Sequence, residues 1–167
     1  MKCVFAYLVV LGLLSSLCQL CADEKVQFLP ELPFERLVGE WEESGFYLKP
    51  DHEKSPKERW TGKFIEGRSK FVIQYTKQNY WEFTKTGEND SFLAVHYHKG
   101  RPRERLTGEW DSKNELLVWT GKSLAGGLYR IEIELKDGAN PRSYVLNKDA
   151  DGVTVFEWRG QSEQKAF

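Results

Sequence analysis

The stretch LYRIEIELK, residues 128–136, makes every second side chain apolar. Tyr129, Ile131, Ile133 and Leu135 take one side; Arg130, Glu132, Glu134 and Lys136 take the other. That period belongs to an extended strand with one dry and one wet face, because successive side chains of a strand point to opposite sides. Runs of similar length and character recur along the chain. They are LVGEWEESGFYL (37–48), ERWTGKFI (58–65), RSKFVIQYTK (68–77), NYWEFTKT (79–86), SFLAVHYH (91–98), RERLTGEWD (103–111), ELLVWT (115–120), RSYVLNK (142–148) and VTVFEWR (153–159). Between them lie the turn clusters GEND, KGRP, SKN, DGANP and DADG, whose Gly, Pro, Asn and Asp are turn formers. No stretch of this part keeps a helical period beyond about two turns.

Short strands joined in sequence by tight turns predict an all-β fold, a single antiparallel up-and-down β-barrel of about 8–10 strands. The long crossovers of a sandwich are missing, and the longest break is the charged segment KPDHEKSPKER, 49–59. Before the first strand, PELPFERL (30–37) is suited to a short turn or a one-turn helix capping one end. Alternation places Leu106, Gly108 and Trp110 inside. The same reading of 91–98 puts Leu93, Val95 and Tyr97 inside, with His96 and His98 outside. Keeping Trp81 and Phe83 inward then demands an odd-numbered turn, such as Glu88-Asn89-Asp90, with Glu82 opposite His96.

The first 22 residues have a different character. Met1-Lys2, an apolar core from Cys3 to Leu17 and an exit at Ala22 have the layout of a secretory signal peptide, and the apolar core is short for a membrane span. The expected organisation is a signal peptide at 1–22, a lead-in at 23–36, the barrel at 37–160 and a tail at 161–167. The protein is then secreted or periplasmic, with no stable membrane anchor after cleavage. Cys3, Cys18 and Cys21, the three cysteines of the chain, all fall within the leader. The remaining 145 residues would enter an oxidising compartment without a disulfide, and must be held by burial. Their charge is 23 basic against 25 acidic residues, too balanced for a general grip on nucleic acid.

Two near-copies stand out, LVGEWE (37–42) with LTGEWD (106–111), and RWTGK (59–63) with VWTGK (118–122). A duplicated half-domain would keep the spacing between echoes, but Trp41 to Trp60 is 19 residues and Trp110 to Trp119 is 9. EWRG at 157–160 repeats the pairing of Trp with a nearby Gly. A local rule of barrel construction explains this better: Trp fills a wide interior, and Gly permits close approach.

Gly39-Glu40-Trp41 at the start of the first strand of a secreted all-β chain resembles the lipocalin signature. ERWTGKF followed by LTGEWD is similar to lipocalin-like bacterial secreted proteins of the wider calycin group. The resemblance implies a barrel whose Trp41 plugs a closed end beneath a late basic residue, Arg159 by position. The chain departs from the pattern in lacking a Thr-Asp-Tyr-like second motif and a disulfide, and in having more than eight expected strands.

A barrel of this size has room for a small, mainly apolar ligand. The expected lining is Trp41, Phe71, Ile73, Trp81, Val95, Tyr97, Trp110, Tyr129, Ile131 and Trp158. Arg101, Arg103 and Arg105 on one hairpin are candidate anion contacts, since guanidinium forks suit carboxylates and phosphates. His96 and His98 are weak candidates for metal ligands, disfavoured by an outward face and by Arg103 and Arg105 beside it; the expectation is no metal and no cofactor. Glu42-Glu43 and Glu132/Glu134 are read as solvent-facing carboxylates. With no Gly-x-Ser-x-Gly, His-Glu-x-x-His or phosphate loop, an enzyme is the less favoured reading. The rival to a ligand carrier is an interaction or inhibitor module, a solid barrel meeting an unknown protein partner through loops 49–59 and 99–105.

Overall fold

A computed structural model of the chain describes residues 31–86, 90–124 and 126–165; the expected leader lies outside the described residues. A short helix, α1 (Glu31–Glu35), is followed by β1 (Gly39–Lys49), β2 (Glu53–Lys54), β3 (Glu58–Ile65), a 3-10 turn (Glu66–Arg68), β4 (Lys70–Thr76) and β5 (Asn79–Lys85). Then come β6 (Ser91–His98), β7 (Arg101–Asp111), β8 (Leu116–Lys122), β9 (Gly126–Glu134), β10 (Arg142–Asp149) and β11 (Thr154–Gln164). From β3 onward each strand pairs antiparallel with its sequence neighbour, and β1 pairs with both β3 and β11. Ten strands thereby close an up-and-down barrel, with β2 left outside on the far part of β1. Closure removes every unpaired edge from the ten. Strand β11 runs on to Gln164, past the expected barrel boundary, and Ser162 within it is wholly buried.

All six tryptophans belong to the interior. Trp41, Trp60, Trp81 and Trp119 are buried, Trp110 packs against the core, and Trp158 borders the internal cavity. The repeated Trp–Gly pairs explain themselves here. A residue and the next but one share a face of a strand, so each such Gly lies on the inner wall beside its Trp. At Gly108 a Cβ would come within 2.1 Å of the Phe92 ring; at Gly62 it would lie 1.8 Å from the Leu37 carbonyl. The glycines make room for neighbours that are too close for any side chain.

One end of the barrel is solid. Phe34 of α1 is fully buried, its ring centroid 5.0 Å from Phe71, 5.3 Å from Phe83 and 5.5 Å from Phe92. Leu37, Leu106, Leu117, Ile133 and Leu135 complete this cluster. Arg36 ties the lead-in down, with Nη1 2.9 Å from Glu115, Nη2 2.5 Å from Asp137, and a further bond donated to the Leu135 carbonyl. The expected cap is therefore an apolar plug latched by one arginine.

The expected inward face of β6 is overturned. Phe92 and Ala94 are fully buried, and Trp81 pairs directly with His96, so His96 faces inward. Val95 and Tyr97 lie on the outer face, where Tyr97 stacks on Tyr80 at 4.7 Å. Glu82 pairs with Val95, not with His96. Lys85 pairs with Phe92, which encloses an even number of residues and excludes the odd turn; residues 87–89 themselves lie outside the described residues. The physical reason is that SFLAVHYH has apolar residues in both alternating sets, so its own pattern does not select a face. Val95 is nonetheless only 6 % exposed. Its pair partners Glu82 and Arg105 carry chains long enough to cover an outer-wall valine.

Candidate ligand-binding site

Above the plug the packing stops short of filling the barrel. Two adjoining lobes of about 210 Å³ each occupy the other half. They share Glu43, Glu58, Tyr75, Tyr129, Val145 and Trp158. The deeper lobe reaches Trp60, Trp81, His96 and Trp119; the outer one reaches Tyr47, Ser55 and Phe156. A larger concavity of about 840 Å³ lies on the outer wall around Glu132, Arg142, Tyr144 and Arg159, but it is a solvent-open groove between strand side chains. Five of the six exposed large apolar side chains, Phe46, Leu124, Leu128, Val153 and Val155, lie near the end of the barrel where the lobes open.

Most of the interior wall follows from strand parity. Trp41, Glu43 and Gly45 alternate along β1, so Glu43 points inward and Glu42 outward. This corrects the solvent-facing reading of Glu43, which is 8 % exposed. Its carboxylate accepts from Ser162 Oγ at 3.3 Å and from the Ser143 hydroxyl. Across the ladder it faces Glu58. Among the described residues neither Glu43 nor Glu58 has a basic partner. Burial pushes the Glu43 carboxyl above the usual carboxylate range; the two serine hydroxyls pull the other way and Glu58 adds to the rise. Burial likewise lifts the Tyr75 phenol well above its ordinary value, with Glu43 and Glu58 adding. Tyr129 is pushed up to about 12 by burial and by Glu104.

His96 is fixed in this wall. Its ring stacks on Trp81 at 4.8 Å, Nδ1 lies 2.6 Å from Glu104 Oε2, and Nε2 lies 2.8 Å from Asn79 Oδ1. Both ring nitrogens are thus engaged by oxygen. His98 sits 6.4 Å from His96, ring to ring. Among the described residues no group of three or more His, Cys, Asp or Glu is placed to hold a metal ion.

Among the described residues, four side-chain nitrogen or oxygen atoms are buried without a partner. Two are the indole N–H groups of Trp60 and Trp119, whose rings line the deeper lobe. Ser55 Oγ borders the outer lobe, and Asn147 Oδ1 shares the inward parity of Val145. A buried donor or acceptor left unmade costs about 1–3 kcal/mol, so three such atoms on residues that border the lobes require an explanation.

Of the expected lining residues, Ile73, Trp81, Tyr129, Ile131 and Trp158 border the deeper lobe. Trp41, Phe71 and Trp110 are interior but belong to the packed core. Val95 and Tyr97 are on the outer wall. Arg101, Arg103 and Arg105 are exposed and border neither lobe. Arg159 does not cover Trp41: its guanidinium lies 5.2 Å from the Tyr144 ring on the outer wall. Trp41 instead donates to the Leu37 carbonyl at 3.1 Å and stacks on Trp60 at 5.4 Å. At the closed end Arg36 and Lys136 border the same surface depression as Trp41. Glu43, Glu58, Trp60, Tyr75, Asn79 and Trp119 were not expected at the site. Parity alone could have found several, since Tyr75 alternates with Phe71 and Ile73, and Glu43 with Trp41.

No family model matches the chain, and no curated protein matches it.

Proposed function

We propose that this protein is a secreted or periplasmic, lipocalin-like barrel that holds a small ligand in its open half and catalyses no reaction. The observation that carries this reading is the conjunction of empty interior space with unpartnered buried donors, the indole N–H groups of Trp60 and Trp119. An unfilled apolar void would be only a packing defect; a void edged by unmet hydrogen-bonding groups is suited to a guest that meets them. Lobes of about 210 Å³ fall below the ~300–1,000 Å³ of pockets for drug-sized ligands, so the guest is small, on the scale of a single ring. The wall is mostly aromatic and aliphatic, which supports a largely apolar body. The rival reading, a barrel acting through loops 49–59 and 99–105, requires a filled interior, and only the plugged half is filled.

Native mass spectrometry of the purified protein, expressed from the full-length chain, with parallel solvent extraction, tests the proposal. The expected result is a small molecule that co-purifies in about one-to-one ratio and is lost on denaturation. A clean apo mass, together with no uptake of single-ring probes at millimolar concentration, would overturn it.

A further inference from the structure

We infer that the guest is an organic cation, a protonated amine on a small ring-bearing body that also carries a hydrogen-bond acceptor. The inference rests on the ligand-binding reading above and specifies the chemistry of the same cavity.

Three observations converge. The first is charge. Glu43 and Glu58 pair across β1 and β3 and border both lobes, and no lysine or arginine borders either lobe among the described residues. Elsewhere the carboxylates are commonly matched: Glu42 has Lys57 at 2.7 Å and Lys165 at 3.2 Å, and Glu115 has Arg36 at 2.9 Å. Glu104, the other inward acid of this region, has His96. Glu43 has only hydroxyls, Ser143 and Ser162, and serine hydroxyls soften the burial of a carboxylate without neutralising it. A buried carboxylate beside a second one calls for a positive charge, and none of the described residues supplies one.

The second is the wall around that charge. Tyr75, Tyr129 and Trp158 border both lobes together with Glu43, and Trp81 borders the deeper one. Aromatic faces attract an ammonium group through their quadrupoles, most strongly when it is desolvated. They would repel an anion placed in the same position.

The third is independent of both. The indole N–H groups of Trp60 and Trp119 are unpartnered, on residues 4 % and 2 % exposed, and both rings line the deeper lobe. They are donors, so they want an acceptor and do not serve a bare ammonium. A guest with a cationic end toward Glu43 and Glu58 and an acceptor toward the indoles meets both demands. A purely apolar guest would leave all of these groups unmet, and an anion would add a like charge beside Glu43.

Isothermal titration with three ring probes that differ in charge tests this: tyramine (cation), 4-ethylphenol (neutral) and 3-(4-hydroxyphenyl)propionate (anion). Tyramine should bind about tenfold or more tighter than 4-ethylphenol, the difference that one charge-assisted hydrogen bond provides, with no detectable binding of the anion. Glu43→Gln and Glu58→Gln should each reduce tyramine affinity about tenfold, and by clearly more than they reduce the affinity for 4-ethylphenol. Glu58 is exposed to solvent, so its variant is not at risk of misfolding even if the buried one is. Equal binding of all three probes, or a preference for the anion, would overturn the cation and leave the ligand-binding reading intact. Binding of none would remove both.

Discussion

The two halves of this barrel are built from the same strands and differ in what faces inward. Toward the closed end the wall offers Phe71, Phe83, Phe92, Leu106 and Leu117, and α1 supplies Phe34 to fill the remainder. Toward the open end the same strands offer Tyr75, Asn79 and His96, which border the unfilled interior. The closed half has dense aromatic packing, which holds the barrel together where none of the described residues is a cysteine. The open half keeps a desolvated Glu43 and two unmet indole donors, which lower stability in the empty protein. The difference between the halves is therefore a division between packing that holds the fold and space left for the proposed guest.

Truncation should expose this division most strongly at the plug. Phe34→Ala removes a fully buried ring that touches three others, and should lower the free energy of urea unfolding by about 3–5 kcal/mol. A loss under about 1 kcal/mol would mean that the lead-in is not part of the core. Gly108→Ala comes next: its Cβ would sit 2.1 Å from the Phe92 ring, and overpacking of this kind costs about 1–3 kcal/mol.

At the open end the sign should reverse. Glu43→Gln keeps the shape and the hydrogen-bonding capacity toward Ser143 and Ser162 but removes the buried charge, so the variant should melt above the wild type at neutral pH. Because burial raises the Glu43 pKa in the folded protein above its ordinary value of 4.5, ionising it costs stability. That cost is complete above the folded pKa and disappears below 4.5. The gap in Tm between variant and wild type should therefore close as pH falls through the folded value. A gap that stays constant with pH would locate the effect in packing and not in charge. An increase in stability together with a loss of tyramine binding would separate folding from function at one residue.

The smallest effect concerns adjacent carboxyls. Glu42 points outward, and its hydrogen bonds with Lys57 and Lys165 bring it down to about 2, while burial pushes Glu43 up from the same starting value of 4.5. Carbon-detected NMR titration should find the two neighbours on opposite sides of 4.5. Finding them together would contradict the inward orientation of Glu43.

Much of the fold was legible because strand alternation is a local property. LYRIEIELK declares its dry face within nine residues, and the observed β9 buries Ile131 and Ile133 as that pattern requires. The turn clusters marked the hairpins for the same reason. SFLAVHYH was not legible, because Phe92 and Ala94 compete with Leu93, Val95 and Tyr97 for the dry face and only pairing with β5 and β7 decides between them. The site was less legible still. Arg101, Arg103 and Arg105 are conspicuous as a run yet remain in solvent, while Glu43 looks like an ordinary surface acid until β11 brings Ser162 against it.

By itself, then, the sequence determined that this chain makes antiparallel strands, where they turn, and that tryptophans set beside glycines fill a wide interior. Those properties depend on neighbours one or two residues away, and pattern records them. Only the tertiary structure decided which face of β6 looks inward, that Phe34 closes one end, and that Glu43 and Glu58 share a cavity with the unmet indoles of Trp60 and Trp119. The physical reason is closure. Bringing β11 back to β1 places residues more than a hundred positions apart, such as Glu43 and Ser162, against each other, and no local period encodes that meeting.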